Sequence, residues 1–182
     1  MTLLYSKDAP VTTWEAAAYQ SATELYSSFH LTQQRFVNVE YRPATNLRHA
    51  IDEYILSKLY LESSGTSRVD SHKQYWAALS MNAIAMAKQI FNQDILLTHV
   101  VTTVINKQRD YGHNNIAKFG ITGLVIRVHD KVARAENLLM KQDYENAVEN
   151  ESLFDTLMDI VGYSIIAFMW LNETFLYQLE KN

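Results

Sequence analysis

ESLFDTLMDIVGYSIIAFMWL, residues 151–171, begins with Glu151, Asp155 and Asp159 spaced four apart and then turns apolar on every side. A helix that is apolar all round belongs in a protein interior, because no face of it is suited to water. The longest apolar run within it, residues 160–171, falls short of the roughly 20 residues that cross a bilayer. The stretch therefore predicts a buried helix of a globular protein, with Asp159 carried to the edge of the core.

The rest of the chain has the same helical character. Only five glycines and two prolines occur in 182 residues, and both prolines lie within the first 43. Long segments carry apolar residues at three-to-four spacing, the period of a helix face. The expected class is all-α: a compact bundle of about six helices near residues 14–28, 44–63, 70–92, 94–109, 115–141 and 151–180. Turn chemistry separates them at RPAT, ESSGTS, DYGHNN and KQDYENAVEN. With 48% hydrophobic residues the chain can bury a sizeable core, and its length fits one domain. Residues 1–93 hold a single glycine and many aromatics. They are expected to form a helical extension packed on a core at 94–182, with Tyr54, Tyr60, Tyr75 and Trp76 buried rather than at a ligand. In the second half, Gly120, Gly123 and Gly162 fall inside helices. A helical glycine costs about 1 kcal/mol relative to alanine, so these positions predict close approach of a neighbouring helix or a ligand.

Composition also excludes functions. A formal charge of −4 disfavours an electrostatic grip on nucleic acid or an anionic membrane. The absence of cysteine removes disulfides, thiolate metal sites and cysteine nucleophiles. The start, MTLLYSKDAPVTTWE, lacks the basic and apolar pattern of a signal peptide, so a cytoplasmic location is expected, the host cytoplasm if the chain is phage-encoded.

RVHDKVAR, residues 127–134, is the most polar patch beside an apolar stripe. At about 100° per residue, Arg127, Asp130, Lys131 and Arg134 share one face. Val125, Val128, Val132, Ala135 and Leu139 form the apolar stripe next to it, and His129 points elsewhere. Such a patch is either a solvated face tied by local ion pairs or the cationic lining of a site. Asp159 bears on the choice, since a carboxylate heading into apolar surroundings needs a compensating partner. That partner is either the Arg127, Lys131 and Arg134 cluster or a divalent metal shared among carboxylates, whose oxygen ligands suit magnesium or manganese. Asp155 has a local alternative, because SLFD at 152–155 fits a capping box led by Ser152. Carboxylates facing cations suit phosphate chemistry, the acids holding metal and water and the cations neutralising phosphate. In the preceding DYGHNN loop, Asn114 or Asn115 is placed to cap the next helix and Tyr111 to stack on a base.

KQRDYGHNNIAKFGITGLVIRVHDKVARAENLL followed by ESLFDTLMDIVGYSIIAF resembles the phage and bacterial nucleotide modification associated domain proteins, relatives of the MazG-like all-α nucleotide pyrophosphohydrolases. The resemblance covers about residues 100–170. It rests on DYG with its asparagines, R-x-x-D-K-x-x-R, and D-x-x-x-D-x-x-x-Y. It implies a MazG-like core in the C-terminal half, a nucleotide as small-molecule partner, magnesium or manganese as cofactor, and a homo-oligomer. Carried onto this chain, it points to Lys107, Asp110, Tyr111, Gly112, Asn115, Arg127, Asp130, Lys131, Arg134, Asp155, Asp159 and Tyr163, with Asp130, Asp155 and Asp159 for metal binding and catalysis. It assigns Lys107, Arg127, Lys131 and Arg134 to phosphate, and Tyr111, Asn115 and Tyr163 to base or sugar. The pattern departs from the MazG-like one in lacking the E-x-x-E motif.

Three functions stay open on sequence grounds. The first is a magnesium-dependent pyrophosphohydrolase acting on deoxynucleoside triphosphates, in nucleotide-pool control or DNA-base modification. The second is a non-catalytic phage factor that binds a nucleotide or a protein. The third is an HD-type phosphohydrolase with His99, His129, Asp130 and Asp159 as the metal set.

Overall fold

The computed structural model describes residues 10–36, 47–52, 55, 69–141 and 152–180, and every regular element among them is helical. In chain order these are α1 (Trp14–Phe36), α2 (described over residues 47–52), α3 (Val69–Phe91), α4 (Leu97–Tyr111), α5 (Asn114–Ala117), α6 (Gly120–Lys141) and α7 (Leu153–Leu171).

The all-round apolar stretch becomes α7, and α1, α3, α4 and α6 pack around it. Lys73 of α3 sits over the Phe168 ring near one end of α7, while the Phe91 ring meets Phe154 at the other, so these two helices run antiparallel. Helix α6 runs antiparallel to α7 as well. Its Gly120 lies against Trp170 and its Lys131 reaches Asp159 eleven residues earlier in α7. Helix α4 crosses α7 at Gly162, where a Cβ would stand 3.1 Å from Val104 and 3.7 Å from Val100. Gly120 and Gly162 are thus glycines because a neighbour occupies the place of their side chain. Gly123 meets only Phe119, the residue just before its helix.

One hydrophobic cluster joins the two halves of the chain. Trp14, Leu25, Trp76 and Leu79 are fully buried with Leu124, Leu157 and Phe168. Trp76 is core as expected and Tyr75 is partly buried against it, whereas Tyr54 and Tyr60 lie outside the described residues. Glu24 of α1 ties three elements, accepting from Lys73 Nζ at 2.6 Å and from Asn172 Nδ2 at 2.8 Å. By length and composition alone the 19 residues of α7 would span a bilayer, longer than the run at 160–171 suggests. The bundle buries 67% of its most apolar window, and that burial accounts for the apolarity.

Several boundaries differ from the periodicity. The first helix continues to Phe36. The segment expected at 115–141 is two helices, because the chain turns through Gly120 at φ +53° where it closes on Trp170. Neither Asn114 nor Asn115 caps α6. Both lie inside α5, whose N-cap His113 makes no side-chain capping bond. The last helix stops at Leu171, not 180, with Asn172 N–H donating to Phe168 O. Beyond it Phe175 is buried among Trp14 and Trp170, and Trp14 N–H donates to Gln178 O at 2.9 Å. Aromatic burial thus turns the tail back across the start of α1. The second expected helix, 44–63, is seen only over residues 47–52 and at 55, the remainder lying outside the described residues.

Ser152 and Asp155 form the expected capping box. Asp155 N–H donates to Ser152 Oγ at 3.1 Å, and the Asp155 carboxylate accepts from Ser152 N–H at 3.3 Å and from its hydroxyl at 2.7 Å. Ser152→Ala is expected to destabilise the fold by about 1 kcal/mol, the usual worth of an N-cap. A urea melt with no measurable change would show the box to be idle.

Candidate functional site

The crossing of α4 over α7 leaves a cleft of about 390 Å³ bordered by α5 and α6. Residues of α4 one helical turn apart supply one wall: Val100, Thr103, Val104, Lys107, Gln108 and Tyr111. Met158, Asp159, Gly162, Tyr163 and Ile166 of α7 supply another, with Asn115 and Ile116 from α5 and Arg127 from α6. Gly162 matters here because a side chain at this position would push against Val104 and narrow the cleft from its base.

Asp159 is the electrostatic centre. Its Oδ1 accepts from Lys107 Nζ and its Oδ2 from Lys131 Nζ, both at 2.8 Å. One lysine comes from α4 and the other from α6, so a single carboxylate holds two helices at a common point. The Asp159 side chain is 19% exposed and Lys131 20%, whereas Lys107 is 53% exposed and opens to solvent. Burial works against the charge of Lys107. The Asp159 hydrogen bond and charge, aided by Tyr163, outweigh it and the repulsion of Lys131, so the Lys107 pKa is raised above the ordinary lysine value. Arg127 lines the same cleft, its guanidinium 3.4 Å from the Asn115 carbonyl oxygen. Tyr111 is 68% exposed and offers an aromatic face at the cleft.

Of the residues singled out in the sequence, Lys107, Tyr111, Asn115, Arg127, Asp159 and Tyr163 line this cleft. Lys131 joins it through Asp159. Asp130 and Arg134 do not line it, and Asp130 is exposed on α6. Asp155 has its carboxylate in the capping box. The apolar part of the lining, Val100, Val104, Ile116, Met158 and Ile166, was not anticipated as part of a site. Its only signal was ordinary helix periodicity, which every core residue shares.

The arrangement bears directly on metal binding. Among the described residues no three His, Asp or Glu side chains converge on a common point. Asp155 is committed to Ser152, each oxygen of Asp159 faces an ammonium group, and Asp130 stands apart. Glu151 lies outside the described residues. Of the three aspartates expected to hold metal only Asp159 lines the cleft, and both of its oxygens are taken up by lysines, so the described residues do not present the open carboxylate oxygens that magnesium or manganese uses beside a phosphate. The HD-type set is equally dispersed, with His99 exposed on α4 and His129 engaged elsewhere.

His129 belongs to a second polar cluster. Arg48 of α2 makes a two-pronged ion pair with Glu136, Nε to Oε1 at 3.0 Å and Nη2 to Oε2 at 2.6 Å, and its Nη1 lies 2.9 Å from His129 Nε2. The Arg48 hydrogen bonds pull the Glu136 pKa below the ordinary carboxylate value against burial, with the charges of Arg48 and His129 adding to the effect. A depressed carboxylate stabilises the fold fully above the unfolded value of 4.5 and loses that contribution as pH falls through the lower folded value. Acid melts of the wild type should therefore show a stability loss below pH 4.5 that is smaller in Glu136→Gln. Parallel curves for the two proteins would remove Glu136 as a source of acid sensitivity.

No family model, curated protein or solved structure matches the chain.

Proposed function

We propose that the cleft binds a small phosphorylated ligand of the nucleotide class, and that the chain is a nucleotide-binding protein acting in nucleotide control. The observation that carries the reading is the meeting of Lys107, Lys131 and Arg127, from two helices, beside an apolar wall and an exposed Tyr111. Cations neutralise phosphate, a tyrosine face stacks on a base, and apolar side chains take the base or sugar edge. The resemblance to nucleotide modification associated proteins points the same way, since Arg127, Asp159 and Tyr163 of its motifs line the cleft.

Binding without turnover is favoured over hydrolysis, because Asp155 is taken up by the capping box and both oxygens of Asp159 are taken up by lysines. The MazG-like pyrophosphohydrolase is the second reading, supported by the motif residues in the cleft. Calorimetric titration with nucleoside mono- and triphosphates, with and without magnesium, separates the two. Magnesium-independent binding, weakened in Arg127→Ala and without pyrophosphate release, is the expected result. Pyrophosphate release that disappears in Asp159→Ala would establish the hydrolase instead. Absence of binding by every nucleotide would end both.

A further inference from the structure

Asp159 holds two lysines by two separate oxygens, much as a bound phosphate would hold them. It does so inside the cleft, at the point where Lys107 opens to solvent. From this geometry, and resting on the reading of the cleft as a nucleotide site, we infer that Asp159 is a built-in competitor for the phosphate subsite. Its competition sets a threshold that ligands ending in a terminal phosphate pass and phosphodiesters do not.

The selection follows from charge and oxygen count. A carboxylate presents one negative charge and two acceptor oxygens. A phosphodiester group presents one charge and two free oxygens, so exchanging Asp159 for it gains the lysines nothing and still costs the ligand's desolvation. A phosphate monoester carries about −1.5 to −2 charges near neutral pH and three acceptor oxygens. It therefore exceeds the carboxylate in both respects and draws Lys107 away from Asp159. Lys107 is the member of the pair free to move, being 53% exposed, while Lys131 is 20% exposed and stays with the bundle. Arg127, on the same cleft, adds a third cation for the extra charge. The released Asp159 keeps Lys131 as its partner, so opening the subsite does not leave the carboxylate stranded. Asp159 thus sets a threshold of affinity that a ligand must pass before it occupies the subsite.

The test uses the smallest probes that differ in this property alone, methyl phosphate and dimethyl phosphate, followed by amide chemical shifts of the full chain. In the wild type, methyl phosphate should perturb α4 around Lys107 and α7 around Asp159. Dimethyl phosphate should bind at least about tenfold more weakly, the order expected for one added charge at a shielded site. Asp159→Asn should bind both probes about fivefold or more tightly, because the cost of displacing the carboxylate from Lys107 is common to them and is lifted for both, with the preference for methyl phosphate kept. Asp159→Ser serves as a second neutral replacement should the first fail to fold, and the wild-type comparison of the two probes requires no variant. Equal binding of both probes by the wild type, shifts confined to other surfaces, no binding of either probe, or unchanged or weaker affinity in folded Asp159 variants would overturn the inference. Methyl phosphate binding without nucleotide binding would end the nucleotide reading and leave the subsite standing. Nucleotide binding with no discrimination between the probes would do the reverse.

Discussion

Lys107→Met is expected to lower affinity for nucleoside phosphates by about ten- to a hundredfold, the usual worth of a charge-assisted hydrogen bond. Lys107 is the more exposed of the two lysines on Asp159 and the one that turns to the phosphate. Lys131→Met should cost less affinity, because Lys131 keeps Asp159 as its partner when Lys107 leaves. The Lys131 change removes a 2.8 Å ion pair from the largely buried Asp159, so stability should fall by roughly 1–3 kcal/mol. Titration calorimetry and a thermal melt on both variants check the ranking. A Lys131 variant that loses more affinity than the Lys107 variant would show that the less exposed lysine is the main phosphate contact.

Gly120→Ala is expected to destabilise the fold by on the order of 2–5 kcal/mol, the sum of a left-handed backbone penalty and overpacking. The backbone at Gly120 sits at φ +53°, and a Cβ there would lie 2.6 Å from Cζ2 of Trp170. A bulky ring held by Phe175 has little freedom to withdraw. The melting temperature should drop by roughly 5–15 °C for a chain of this size. The steric share is separable: in a Trp170→Leu background the same glycine change should cost less by about 1–3 kcal/mol. Equal costs in the two backgrounds would assign the whole effect to backbone conformation.

Much of this architecture was legible along the chain. The helix period located α3 almost to the residue and identified α7 as buried before any partner was known. Glycine economy marked Gly120 and Gly162 as points of close approach, and Ser152 with Asp155 declared a helix start. The site was legible only in part. Arg127, Lys131 and Asp159 stood out as charges beside apolar stripes, and all three belong to the cleft or to its ion pairs. Asp155 is taken up by its nearer partner Ser152, whereas Asp159 pairs with Lys107 and Lys131 from other helices. His129 left the cationic stripe as its helical angle required, but its neighbour Arg48 lies 81 residues away in the chain.

The sequence by itself determined the helical class, the burial of most of residues 160–171, and the polarity that places a cationic stripe along α6. These follow from interactions within a few residues: backbone hydrogen bonds from each turn to the next, capping, and the burial demanded by an all-round apolar helix. Only the tertiary structure decided which cation meets which carboxylate. Lys107 reaches Asp159 across 52 positions because α4 crosses α7 at Gly162, and Lys131 reaches it because α6 runs antiparallel to the same helix. Helix crossings are set by how side chains of distant segments interlock, and no local pattern encodes the partner on the other side.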